Sequence, residues 1–314
     1  MSHKHVTHQH DTPSGVGYAF AAFGLWGVMP LYFQLMRAVP SSEILAHRIV
    51  YSTVFLLALL ALWGRLDHVR ASLMDSHRRK MLAMSSALIG LNWFVYIQGV
   101  NSGHIIETAL GYFINPFFSV FLGSVIFRER LRPLQWLAIA IATTGIMYLV
   151  FKSGTVPWFA LTLAATFGLY GAIRKTTPVD GTLGLAVESI LLLPLAVGYL
   201  IFLTLSGHLE LAEHGTKTMA YVFGSGVVLT LPMIFFGQAA RGIRLSTMGF
   251  LQFIAPTLQY FTAVYITGEK EDPNRIVCFL FVWSALALYT ADTLYFLHGR
   301  RRVRAVESPV VASS

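Results

Sequence analysis

The sequence predicts an all-α polytopic membrane protein, ten transmembrane helices in two inverted five-helix repeats, and three observations carry that prediction. Hydrophobic residues make up 55% of the 314-residue chain and charged residues 12%, about half the ~25% of an ordinary soluble domain. The mean hydropathy is +0.62. Apolar runs of roughly the 20 residues that cross a bilayer follow one another with only short charged or Gly/Pro-rich breaks. Finally, two gapless blocks match. Phe113-Ile-Asn-Pro116 and Phe253-Ile-Ala-Pro256 are each followed thirteen residues after the proline by a glutamate, Glu129 or Glu269, and four residues later by Pro133 or Pro273.

In order, the spans fall at about 15–36, 41–63, 81–100, 105–127, 134–151, 157–173, 181–206, 219–240, 245–267 and 275–297. The preceding segment, 1–14, holds four His residues but no apolar stretch. It is read as a disordered cytoplasmic tail, neither a signal peptide nor a metal site. Spans 1 and 6 share a pattern, Phe23-Gly-Leu-Trp26-Gly27 and Phe167-Gly-Leu-Tyr170-Gly171. Gly24, Gly27, Gly111, Gly168 and Gly171 are expected where helices approach closely. Span 2 carries Arg48 and span 7 carries Glu188 inside otherwise apolar runs, and span 3 brings Asn92, Trp93 and Tyr96. In spans 4 and 9, Pro116 and Pro256 remove a backbone donor at membrane depth and mark kinks or hinges. Span 10 contains Cys278, the lone cysteine, which can form no internal disulfide and is expected to pack.

Orientation follows from Lys and Arg. With the N-terminus inside, seventeen basic residues fall in inner segments (Lys4, five from Arg65 to Lys80, three from Arg128 to Arg132, Arg174, Lys175, Arg241, Arg244 and four from Arg300 to Arg304) and five outside. That places both termini in the cytoplasm and the chain in the inner or plasma membrane. The net charge of +8 is thereby explained by topology rather than by nucleic acid. The pattern shared by spans 1 and 6 is displaced by five helices, an odd number, so the second copy crosses in the opposite sense. The repeats are 15–151 and 152–297, with a basic then disordered tail at 298–314. Inverted repeats suit a carrier whose halves exchange roles.

Several stretches then become recognisable: Glu43-Ile-Leu-Ala-His47-Arg48, Asn92-Trp93, Glu107-x-x-Leu110-Gly-Tyr-Phe-Ile-Asn-Pro116, Glu129-Arg-Leu-Arg-x-x-Gln-Trp136 and Leu245-Ser-Thr-x-Gly-Phe250. Together they closely resemble the RarD family, in the EamA-type branch of the drug/metabolite transporter superfamily, over about residues 15–297. The resemblance implies ten helices, two EamA-like repeats and a permease role, and it supplies no substrate.

Aligning Leu45-Ala46 with Leu185-Ala186 sets Arg48 opposite Glu188 in the two copies. A charge near the bilayer centre costs about 2.5 kcal/mol or more and persists only where it faces a partner or a cavity. At 1.5 Å per residue, Arg48 lies roughly 10 Å below the outer surface and Glu188 roughly 12 Å above the inner one. Two readings stand: Arg48 binds an anionic substrate with Glu188 as counter-charge or proton-linked switch, or the two form a structural ion pair. His47, one turn from Glu43, is a second proton-linked candidate. Asn92, Tyr96, Tyr112 and Asn115, with Trp26 and Tyr170, compose either a pocket for an organic molecule or ordinary helix packing. Glu107 is expected to complement the dipole of its own helix.

No nucleotide-binding Gly-rich loop, nucleophile elbow or His-Glu-x-x-His set occurs, so neither ATP-driven pumping nor hydrolysis is indicated, and no cofactor or metal is expected. The reading is a permease that moves a small organic metabolite or drug-like molecule by alternating access. Its partners are that substrate and the bilayer, with a homodimer left open. A non-transporting receptor or assembly protein of the same fold is the rival, and a lipid-modifying enzyme a weaker one.

Overall fold

The computed structural model describes residues 12–126, 131–242, 251–270 and 273–307. Among these no strand occurs. The chain runs through α1 (Pro13–Gln34), α2 (Ser41–Leu62), α3 (Leu66–Met74), α4 (Ser76–Asn101), α5 (Ile105–Ile126), α6 (Pro133–Ser153), α7 (Trp158–Thr176) and α8 (Gly181–Ser206). A 3-10 turn, Leu211–His214, leads to α9 (Gly215–Val228), α10 (Leu231–Gly242), α11 (Ile254–Phe261) with a π turn at Thr262–Ile266, and α12 (Pro273–Glu307). Helix starts follow local chemistry. Thr12, Asp75 and Asp180 accept the amides of Gly15, Arg78 and Leu183 at 3.1, 2.9 and 3.0 Å, the usual N-cap arrangement.

Large apolar side chains such as Val54, Phe151, Leu195 and Leu205 point away from the protein, as expected of helices solvated by lipid. Among the described residues, seven segments are long and apolar enough to cross a membrane: Pro13–Gln34, Ser41–Leu62, Ser76–Asn101, Pro133–Lys152, Gly181–Ser206, Leu211–Ala239 and Pro273–Asp292. The chain is a multi-pass membrane protein. At 22 and 19 residues, α5 and α7 also have crossing length. The ninth expected span falls partly on 243–250, which with Glu129 and the Leu245–Phe250 motif lies outside the described residues.

Two of the expected elements are corrected. The loop before span 3 contains a helix, α3. The eighth span is two helices, broken at Leu229–Thr230. Pro232 is the reason, since it has no amide to give the carbonyl of Val228 and its ring crowds that carbonyl. It takes the second position of α10, where an amide needs no partner within the helix.

Contacts divide the chain into two units, Met1–Ser119 with Trp158–Lys270, and Val120–Pro157 with Glu271–Ser314. In the first, α1 packs on α10 and α11, α2 on α8 and α9, and α4 on α7 and α8. In the second, α6 lies against α12, so closely that a Cβ at Gly145 would stand 2.5 Å from that of Phe281. Cys278 is buried there, and Arg132 pairs with Asp292 at 2.6 Å.

One end of the first unit is joined by carboxylates that accept backbone amides of other elements. Glu43, fully buried in the first turn of α2, takes the amides of Glu210 and Leu211 at 3.1 and 2.9 Å. Glu107 takes the amide of Phe159 at the start of α7, at 3.0 Å, and Glu269 takes that of Ile106 at 3.1 Å. Glu107 therefore caps a neighbouring helix, whereas the sequence suggested its own. Glu43→Ala leaves two amides without their acceptor and is expected to lower unfolding stability by about 3 kcal/mol, measured by denaturation in detergent, with Glu43→Gln losing less.

The glycines sort by contact. A Cβ at Gly111 would meet the Ala160 carbonyl oxygen at 2.8 Å and its Cα at 2.9 Å, and one at Gly27 would meet Leu258 at 2.6 Å. At Gly24 and Gly171 nothing lies within 4 Å. Close approach at those two is corrected: they face open space, where a side chain has room.

Candidate functional site

Within the first unit, α1, α2, α4, α5, α7, α10 and α11 surround a cavity of about 60 Å³. Arg48 enters it from α2, Asn92, Trp93 and Tyr96 from α4, and Tyr112 from α5, while Trp26 and Phe236 supply further aromatic wall. The rings pack edge to face. Tyr96 stands 5.6 Å from Phe33 and 5.6 Å from Tyr112, and Tyr112 stands 6.4 Å from Phe167. Such pairs hold their orientation without polar contacts. At about 10–15 Å³ per water, the space takes roughly four to six water molecules.

Arg48 is the electrostatic centre of this site. It is only 6% exposed, its guanidinium carbon stands 3.9 Å above the Trp93 ring, and its Nε has no hydrogen-bond partner. Among the described residues no carboxylate lies within ion-pair distance of it. A desolvated cation on an indole face gains about 2 kcal/mol, less than the several kcal/mol that burying an ion costs. Among the described residues, therefore, nothing compensates the positive charge of the site. Two buried oxygens beside it also lack partners, the Tyr96 hydroxyl and Gln259 Oε1. Gln259 is fixed in orientation because its Nε2 donates to the Trp26 carbonyl at 3.0 Å.

Among the described residues, the break between α9 and α10 and the turn that leads into α11 both face the cavity. Leu229, at the end of α9, and Gln252, in the turn before α11, are among its lining residues. Irregular backbone at membrane depth is tolerated where it is buried in protein or lines a cavity, and discontinuous helices commonly build carrier binding sites. Pro256 follows the turn before α11. It stands in the first turn of α11 and lines the cavity, while Pro116 remains inside α5.

Other residues singled out from the sequence lie apart. Asn92 lines the cavity, but its amide group donates outward to the Leu163 carbonyl and Thr166 at 3.1 and 2.9 Å. Asn115 is buried with an unpartnered Oδ1 and is not a lining residue. His47 stacks on Tyr51 and stands 3.8 Å from Glu43. Glu188 does not meet Arg48. Its ionic neighbour is Arg174 on α7, 3.7 Å away, with Ser85 and Tyr170 donating to its two oxygens at 2.6 and 3.3 Å. Facing helices put Glu188 beside α7 and α4, and a repeat alignment fixes equivalence rather than contact. Sequence reasoning missed Arg174, although its i,i+4 spacing from Tyr170 sets both on one face of α7. It also missed Gln259 and Gln252, which lie near Pro256.

Comparison with known proteins agrees with this architecture. Residues 13–151 match the model of the EamA-like transporter family. An uncharacterized transporter of Pseudomonas aeruginosa is 42% identical over 278 residues, 88% of this chain and 93% of that one. Protein RarD of Escherichia coli is 38% identical over 285 residues, 91% of this chain and 96% of its own. A solved crystal structure, 17% identical, superposes with a TM-score of 0.59 over 88% of this chain and 98% of that one, a likeness in fold alone. With relatives this similar along nearly its whole length, the chain belongs to the RarD family of EamA-like transporters.

Proposed function

We propose that the protein is a secondary transporter that moves a small organic anion across the inner or plasma membrane by alternating access. Ten spans in two inverted repeats, 15–151 and 152–297, form the carrier, and both termini are cytoplasmic. The observation that carries the reading is Arg48, buried in an aromatic cavity with no carboxylate beside it among the described residues. A buried charge without a counter-ion costs stability, and an arriving anion removes that cost. Trp93, Tyr96, Tyr112 and Trp26 offer flat apolar walls to the organic part, and Tyr96 and Gln259 offer hydrogen bonds. The α9–α10 break and the turn before α11 face the same space, so bending at Leu229–Thr230 and near Pro256 changes the cavity directly.

The test is a thermal-shift screen of purified protein against organic anions, amino acids, aromatic metabolites and amphenicol-type drugs, with Arg48→Ala alongside. A carboxylate-bearing ligand that stabilises wild type and not the variant is the expected result. Equal stabilisation of both proteins would remove Arg48 from the site. The orientation is tested separately: a reporter active only in the periplasm, fused after Arg304, is expected to be silent, and activity would reverse the topology.

A further inference from the structure

Glu188 lies about two turns into α8, outside the cavity, and is fully buried. Its surroundings are unusual for a carboxylate that serves only as an ion-pair partner. The Arg174 Nε stands 3.7 Å from Oε1, longer than the about 2.7–2.9 Å of a charge-assisted hydrogen bond. Arg174 instead gives Nη2 to the Asp180 carbonyl at 3.1 Å, and its Nη1 has no partner. Gly184 makes room for this guanidinium, because a Cβ there would lie 2.0 Å from Nη1.

Ser85 supplies the more telling geometry. Its Oγ is placed to donate to two acceptors, Glu188 Oε1 at 2.6 Å and the Leu82 carbonyl at 3.1 Å. A hydroxyl has one proton and serves one of them at a time. With Glu188 ionised, Ser85 donates to the carboxylate. With Glu188 protonated, its new O–H donates to Ser85 Oγ and Ser85 turns its own proton to Leu82. Tyr170, 3.3 Å from Oε2, completes the shell. Both charge states are thus hydrogen-bonded without movement of a heavy atom.

We infer that Glu188 is a proton-binding site, separate from the Arg48 cavity, whose occupancy sets how firmly α7 is held to α8. On protonation one O–H bond forms at Glu188, the proton coming from water, and the Glu188–Arg174 pair passes from net zero to net positive charge. Arg174 keeps its bond to the Asp180 carbonyl. The charged and titratable groups facing Glu188 are Arg174 and Tyr170 from α7; α4 presents Ser85 and Ser86, and among the described residues α2 and α10 present none. Arg65, at the start of α3, reaches Asp180 and not Glu188. The Arg174 side chain is 13% exposed and Glu188 not at all, so a proton enters when the end of α7 lifts. Phe167, which lines the cavity, and Tyr170 stand 5.9 Å apart on α7, so that lift moves a cavity wall. The coupling to transport rests on the carrier reading, but the proton site does not.

The experiment is pH-difference infrared spectroscopy on full-length protein in lipid nanodiscs, following the C=O stretch of a protonated carboxyl group. Wild type is expected to gain such a band on acidification, Glu188→Gln to lack it, and Ser85→Ala to keep it at a shifted frequency because its acceptor is gone. In Arg174→Gln the band is expected at higher pH, the opposing cation being absent. Identical wild-type and Glu188→Gln spectra would overturn the site. Should Glu188→Gln fail to fold, a band unmoved by Ser85→Ala and Arg174→Gln would overturn it equally. A band that behaves as expected while no ligand binds would leave the proton site standing and count against the carrier reading alone.

Discussion

Arg48→Ala is expected to weaken binding of the transported anion by about 30- to 1000-fold, the ~2–4 kcal/mol carried by a desolvated charge contact. The measurement is a titration of the ligand found in the screen, against purified wild type and variant. Arg48→Lys keeps the charge but loses the planar fork and its stacking on Trp93, so an intermediate affinity is expected. Stability separates binding from structure. If Arg48 were half of a structural ion pair, removing it would destabilise the fold by about 3–5 kcal/mol. Because no counter-ion stands beside it among the described residues, Arg48→Met is expected to leave the ligand-free protein as stable or more so. A large loss of ligand-free stability would refute the binding role.

Gly111→Val is expected to destabilise the fold by about 3 kcal/mol or to prevent it, the upper range for overpacking a close contact. The obstacle is backbone, the carbonyl and Cα of Ala160 on α7, which cannot rotate aside. Gly24→Val and Gly171→Val serve as controls. With no atom within 4 Å of the added Cβ, each is expected to change stability by no more than about 0.5 kcal/mol. Unfolding in detergent measures all three, and equal losses would mean that helix propensity rather than contact governs these positions.

The sequence made the helical, membrane-spanning character plain because hydrophobicity on that scale has no other physical use. It also placed Arg48, Tyr96 and Tyr112 on spans that the structure brings to one cavity. What it could not reveal is which helices face one another, a matter of three-dimensional packing. Glu188 was matched with Arg48 by repeat equivalence, yet α7 lies against α4, which packs on α8, and supplies Arg174 instead. The break at Leu229–Thr230 was legible in Pro232, but continuous hydropathy across 219–240 concealed it. Gln259 belongs to no motif that the sequence singles out. Only the structure shows its side-chain nitrogen donating to the Trp26 carbonyl and its buried oxygen left without a partner.

The carboxylates that cap foreign helices carry an evolutionary consequence. In each, one partner contributes a side chain and the other only a peptide N–H. Mutational drift is therefore free at Glu210, Leu211, Phe159 and Ile106 so far as these bonds are concerned, whereas Glu43, Glu107 and Glu269 have no equivalent to drift to. Because the two sides cannot compensate each other, these helix-to-helix ties should leave no trace of correlated substitution among relatives. They would appear instead as invariant acids whose amide-donating positions vary.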